Sequence, residues 1–391
     1  MEEKVAEKMG EKMVEKQAET KLGEKERAAL YWLCSAPFLG AVKIRRLGEY
    51  AGGYDAVYNM EESRWSGEGG LPSLLSPAQA AKLADWRGRY EDCRRELETM
   101  EAVGKIRFVT PYDEGYPQRL LELTDHPMGL FVRGRLPDDG RPSVSIVGAR
   151  ACSAYGEQLA EAFAQALAAE GVQIVSGLAL GIDGAAHRGA LKGGGDTYGI
   201  LGCGVNICYP SAHYGLFEQM LSRGGILSEF PPGTKPAPRN FPIRNRIISG
   251  LADAVLVVEA REKSGSLITA ELGLEQGKEI FAIPGRVTDQ LSRGCSGLIQ
   301  QGAHLALTPG DLLEYLGVKH QKQLILYEKN INGLAKNQKM VYSFLDFKPK
   351  HIDEILSETG LGISECLGIL LELELGGYAY RSGNHYYGKN L

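Results

Sequence analysis

No two cysteines in this 391-residue chain are spaced as C-x-x-C; the seven present (Cys34, Cys93, Cys152, Cys203, Cys208, Cys295, Cys366) stand alone. An odd set of isolated thiols in apolar contexts argues against a disulfide framework and against a zinc site defined by spacing. It fits a reducing, cytoplasmic compartment. No apolar run approaches the roughly 20 residues of a membrane span, and the charged N-terminus lacks the apolar core of a signal peptide, so no membrane role is expected. Positive charge is also scarce overall: the formal net charge is −5. A nucleic acid therefore has to be met by a local basic patch rather than by the whole surface. Absent too are a Walker A lysine turn, an H-E-x-x-H helix and a G-x-S-x-G elbow, which removes the readiest routes to phosphoryl transfer, metalloprotease and serine-hydrolase chemistry.

What is present divides along the chain. With 43% hydrophobic residues, a chain of this length supports two or three cores. Residues 1–27 repeat Glu and Lys every fourth position, with Lys4–Glu7, Lys8–Glu11, Lys12–Glu15 and Lys16–Glu19 three apart. Such pairs stabilise a helix by a few tenths of a kcal/mol each and bury almost nothing, so a solvated tail is expected. Residues 28–104 read as all-helical. Two apolar helices meet around Pro37-Phe38-Leu39-Gly40, and Lys43, Arg45 and Arg46 open the second. This is a degenerate helix-hairpin-helix (SAM-like) pattern, for which a packing role is the commoner reading and DNA contact the alternative.

From 105 to 316, strand-like runs (106–109, 129–133, 144–147, 173–176, 197–201, 225–228, 254–259, 280–283) alternate with helical patterns. Alternation with short connections predicts a parallel sheet flanked by helices, with ligands bound beyond the carboxyl ends of the strands. Those ends are rich in glycine and small hydroxyls: VGAR with Gly148 and Arg150; SGLALGIDGAAH with Ser176, Gly177 and Asp183; LGCGVNICYP with Gly202 and Gly204; and EAREKSGSLITAELG with Ser264, Gly265 and Ser266. Bare N–H groups at helix starts hold anions, so several such turns along one edge predict a phosphate-binding rim. The basic feature is PPGTKPAPRNFPIRNRIISGLA (231–252), where Lys235, Arg239, Arg244 and Arg246 are interleaved with Asn240, Phe241 and Asn245 and with no acid. Guanidinium for phosphate, a ring for a base face and amides for base edges suit a single strand. The alternative is an arginine-rich helix start paired with acids elsewhere. Asp183 and His187, four apart, read as an acid–base pair or, more commonly, as a helix-start carboxylate beside a structural histidine. After a polar linker (317–335), residues 336–391 read helix, helix, helix, hairpin: a winged helix. Its third helix carries Glu365, Glu372 and Glu374 and no Lys or Arg, which makes it a poor duplex reader.

In combination and order, VGAR, SGLALGIDGAAH, GCGVNICYP, the 231–251 segment, SGSLITAELGLEQGK and IPG…GCSGLIQQGA resemble the DNA-processing protein A family (DprA, also called Smf). The resemblance covers about 105–316. It implies an extended Rossmann-like domain that binds single-stranded DNA without sequence preference. It further implies homodimers, interaction with RecA recombinase, protection and loading of incoming strands during natural transformation, and neither cofactor nor catalysis. The family's G-[SA]-R arginine maps to Arg150, and its F-x-x-R-N-R-x-I segment to Phe241, Arg244, Asn245, Arg246 and Ile248. Ser296-Gly297 departs from the family's usual asparagine. The competing reading is a nucleotide phosphoribohydrolase-like enzyme of similar shape, whose P-G-G-x-G-T-x-x-E turn is only echoed by Ser264–Glu271.

Overall fold

The computed structural model describes residues 21–66, 74–319 and 333–390. Most of the Glu/Lys tail and the middle of the linker lie outside the described residues. The tail's end does not: the first helix among the described residues starts at Glu24, and Arg27 pairs with Glu101 and Asp113. Residues 24–27 thus belong to the helical region, four residues earlier than the pattern indicated.

The centre is a nine-stranded sheet in the order β1-β2-β6-β5-β4-β3-β7-β8-β9. Its strands are β1 Arg107–Val109, β2 Leu130–Gly134, β3 Ser143–Val147, β4 Gln173–Ser176, β5 Thr197–Ile200, β6 Gly224–Ser228, β7 Ala254–Val257, β8 Glu279–Ala282 and β9 His304–Leu305. β3 to β7 are buried at every position, as continuous apolar runs covered on both faces should be. The sheet is not wholly parallel. β1 pairs antiparallel with β2, and β2 antiparallel with β6. Residues 110–129, whose one helix is the four-residue Gln118–Leu121, connect β1 to β2. β9, a two-residue edge strand, was not anticipated.

One helix shows why the layers close. Ala154–Ala169 repeats Leu159, Phe163, Leu167 and Ala160, Ala164, Ala168 at i, i+4, all buried, which turns one stripe toward the sheet. The helix Ile182–Lys192 crosses it so closely that a Cβ at Gly189 would lie 2.1 Å from the Glu161 carbonyl oxygen. The N-terminal helices have no separate core: Leu30, Trp32, Leu47 and Trp65 share one cluster with Phe108, Phe131, Phe217 and Met220 of the sheet layer. The last unit has its own core of Val341, Ile352, Ile355, Leu370 and Leu373. Its helices Lys336–Phe344, Ile352–Thr359 and Ile363–Leu375 precede the antiparallel pair β11 Ala379–Arg381 and β12 Tyr386–Lys389, joined by β10 Lys350–His351. This is a winged helix.

After β3 the chain builds β4, β5 and β6 to one side and then returns to place β7 on the other. The order reverses between β3 and β7, so the connections leaving their carboxyl ends run to opposite sides and leave a crevice outside those ends. Those two ends carry VGAR and EAREKSG.

Candidate nucleic-acid interface

The crevice is a cleft of about 580 Å³, lined among others by Gly148, Arg150, Asp183, Tyr209, Phe241, Arg244, Asn245, Arg261, Lys263, Ser264, Gly265 and Ser266. Its first wall is the VGAR turn. The Ala149 N–H donates to the Glu259 carbonyl at 2.7 Å, and the Ala149 carbonyl accepts from Ile182 N–H at 3.3 Å. The Glu259 carboxylate accepts the Ser153 N–H at 2.8 Å and the Ser153 hydroxyl. The turn is therefore clamped between β7 and the next helix start, and the Ala149 amide is spent inside the protein rather than offered to an anion. Glycine is required at 181, where φ is +75° and a Cβ would meet the Ala149 carbonyl oxygen at 2.4 Å. Arg150 stands on the exposed rim with its guanidinium 4.9 Å from the Phe241 ring centroid. It makes no ion pair among the described residues.

The second wall is the start of the helix Asn240–Gly250. Phe241 is half-buried and lies nearly parallel to Tyr209, with ring centroids 5.9 Å apart and planes 22° from parallel. Arg244 forms part of the floor. It is 4% exposed, and its guanidinium donates to the Gly177 carbonyl at 3.0 Å while its Nε–H has no protein acceptor among the described residues. Burial pushes the guanidinium down to about 10, against the pull of Asp183, so it stays charged at neutral pH. Burial raises the Asp183 carboxyl, which Arg244 and the N–H groups of Ala179 and Gly177 partly offset. The third wall is the start of the helix Gly265–Glu275, capped by the Ser264 hydroxyl accepting from Ser266 N–H. Arg261 and Lys263 are exposed above it.

Of the anticipated site residues, Gly148, Arg150, Phe241, Arg244, Asn245, Ser264, Gly265 and Ser266 meet in this cleft. Lys235 and Arg239 are exposed beside it, flanking the lining residues Pro236 and Pro238. The other six do not reach it. The Ser176 hydroxyl is buried and donates to the Ile146 carbonyl at 2.6 Å. The Gly177 N–H donates to Asp183, and a Cβ at Gly177 would collide with the Arg244 guanidinium. The Gly202 carbonyl accepts from the buried Asn240 amide at 2.9 Å. The Gly204 N–H donates to the Thr234 carbonyl at 2.9 Å. These are close-packing and loop-bracing roles. Arg246, 7% exposed, points away to Asp125 and Glu229 at 2.8 Å each. For this one residue, pairing with distant acids is the correct account.

Tyr209, Arg261 and Lys263 were missed. The signal for the last two was in hand, since they sit in the strand-end loop that supplied Ser264. Tyr209 gave none, because its approach to Phe241 depends on how the 201–210 loop folds back. Elsewhere, the hairpin cations Lys43 and Arg45 are held internally by Gln79 and by the Thr124 carbonyl, while Arg46 is exposed. Asp183 and His187 do not form a pair. His187 is fully buried, with Nδ1 2.7 Å from the Thr197 hydroxyl. Burial holds its imidazole down at about 3, against an ordinary 6.5. The unfolded chain takes up that proton below pH 6.5 and the native state does not, so stability is complete above pH 6.5 and falls as the pH drops toward 3. Urea midpoints should decrease from pH 7 to pH 5, and His187→Gln should flatten that decrease; an equal slope in the variant would refute the assignment.

Among the described residues no group of three His, Cys, Asp or Glu side chains is placed to hold a metal ion, and no helix is long and apolar enough to cross a membrane. Residues 107–317 match the family model of DNA recombination-mediator protein A, and residues 328–383 match the DprA winged helix domain. Protein Smf of Escherichia coli is 41% identical over 271 residues, covering 68% of this chain and 72% of that protein. DNA processing protein DprA of Streptococcus pneumoniae is 47% identical over 201 residues, covering 51% and 71% respectively. The X-ray structure of DNA processing protein A from Streptococcus pneumoniae superimposes with a TM-score of 0.59 at 33% identity, covering 77% of this chain and all of that one. With its β3/β7 crevice, its winged helix and these matches, the chain belongs to the DNA recombination-mediator protein A family.

Proposed function

We propose that the cleft binds single-stranded DNA without regard to sequence. The observation that carries this reading is the half-buried Phe241 ring, set with Tyr209 and Arg150 against it and bordered by exposed cations on both banks. An aromatic face is open to an unpaired base and closed to one stacked inside a duplex. Phosphates of an extended strand can meet Lys235 and Arg239 on one side and Arg261 and Lys263 on the other, with Arg150 between. A free mononucleotide leaves most of these cations without partners.

In this reading the protein works by binding rather than by catalysis, in the cytoplasm, where it protects incoming strands and hands them to RecA recombinase during natural transformation. The motif resemblance supports that role. A homodimer joined through the Rossmann-like domain fits the exposed apolar side chains at the sheet edge, Leu305, Leu307 and Tyr315. An unpaired edge strand of this kind calls for a cover. The test is a gel-shift competition at fixed salt between a single-stranded oligonucleotide and its duplex. The single strand should compete and the duplex should not. Phe241→Ala should cost about 1–3 kcal/mol of single-strand affinity. Equal competition by the duplex would overturn the proposal, and release of free base from nucleoside monophosphates would replace it with an enzyme.

A further inference from the structure

The third helix of the winged-helix unit, Ile363–Leu375, buries Cys366, Ile369, Leu370 and Leu373 in its own core. Its outer face is nonetheless apolar. Ile363 is 57% exposed, Leu371 55% and Leu375 81%. With the partly buried Leu367, they follow one another at i, i+4 spacing and form one ridge along the helix. Gly368 flanks the ridge, and nothing lies within 4 Å of where its Cβ would be, so a partner backbone can approach there. Scattered exposed leucines need no explanation, but a contiguous row marks an interaction surface.

Charge selects the partner. The helix has Glu365, Glu372 and Glu374 and no lysine or arginine. Helical rotation places Glu372 and Glu374 on either side of the C-terminal half of the ridge and Glu365 on the side of the helix away from it. Asn337 donates to Glu365 and Gln338 to Glu372, yet none of the three glutamates is in an ion pair among the described residues. Such a surface repels phosphate. A second copy docked through the same face would set glutamates against glutamates, because a two-fold contact pairs a patch with itself. We infer that the Ile363–Leu375 ridge is the docking site for a basic amphipathic helix of a partner protein. The partner's apolar stripe lies along Leu367, Leu371 and Leu375, and its lysines or arginines lie over Glu372 and Glu374.

The test uses the full-length protein and a fluorescein-labelled helical peptide of leucine and lysine with apolar residues at i, i+4. Anisotropy should show salt-sensitive binding. A Leu371→Ser, Leu375→Ser variant should weaken it at least about tenfold while leaving oligonucleotide affinity unchanged, since both side chains are exposed. Glu372→Gln and Glu374→Gln together should weaken it and remove the salt sensitivity. A leucine/glutamate peptide of the same pattern should not bind. Absence of binding to the wild-type chain, or equal binding to the Leu371→Ser, Leu375→Ser variant, would overturn the inference.

Discussion

Raising monovalent salt from about 50 to about 200 mM should weaken oligonucleotide binding roughly a hundredfold, because log affinity falls with log salt at about −0.7 per phosphate neutralised on a single strand. Five exposed cations border the cleft: Arg150, Lys235, Arg239, Arg261 and Lys263. Each releases counterions when it meets a phosphate, for a slope of about −3.5. Arg244 is left out of this sum because it is buried beside Asp183. Arg246 is left out because two carboxylates already hold it. Single substitutions separate the contributions. Arg150→Ala should lower affinity for every sequence alike and flatten the slope by about 0.7, and Lys263→Ala should do the same. Phe241→Ala should lose affinity with the slope intact, since a ring releases no counterion. A folded Arg150→Ala protein with an unchanged slope would remove that arginine from the strand's path.

Arg246→Ala should act in the opposite manner, costing about 3–5 kcal/mol of folding stability, the range seen when one partner of a buried pair is removed, and leaving the salt slope of the folded protein alone. The guanidinium joins three parts of the domain. It donates to the Asp125 carboxylate and carbonyl, to the Glu229 carboxylate and to the Ile243 carbonyl. Glu229, with its side chain 19% exposed, would be left with a desolvated charge and no cation. Denaturation followed by tryptophan fluorescence measures the loss, and Arg246→Lys should restore only part of it because an ammonium cannot span both carboxylates. A midpoint unchanged in Arg246→Ala would show that the pairing contributes nothing, and a flattened slope would return Arg246 to the DNA-binding set.

Much of the fold was legible because local pattern and tertiary outcome agree. β4 begins and ends where its apolar run does, β3 and β5 to β7 differ from theirs by one or two residues at one end, and β8 is displaced by one residue at both ends. Runs such as SVSIV leave little choice but a strand buried on both faces. The site was legible in part for the same reason: glycine and hydroxyl turns after parallel strands lie on one edge of the sheet whatever its order. Direction of pairing was less legible. β1 and β2 have ordinary strand patterns, and only their partners make them antiparallel. Likewise residues 28–104 read as a helical domain, yet Trp32 and Leu47 pack into the same core as Phe131 and Met220.

By itself the sequence determined which residue types stand at the carboxyl ends of the strands, that the winged helix's third helix is acidic, and that the 231–252 segment supplies a ring, amides and cations without a nearby acid. Tertiary structure alone decided which of these face the cleft. Arg244 and Arg246 are two residues apart on one helix, so their side chains leave it about 200° apart. One lines the cleft floor, and the other turns to Asp125, 121 residues away in the chain. Pairing of that range depends on how β2, β6 and the helix Asn240–Gly250 assemble, and local sequence carries no term for it. The same holds for Tyr209 against Phe241 and for the amides of Gly177 and Gly204. Each is a donor or a surface in the sequence, and each becomes occupied or open only when a distant segment arrives to take it.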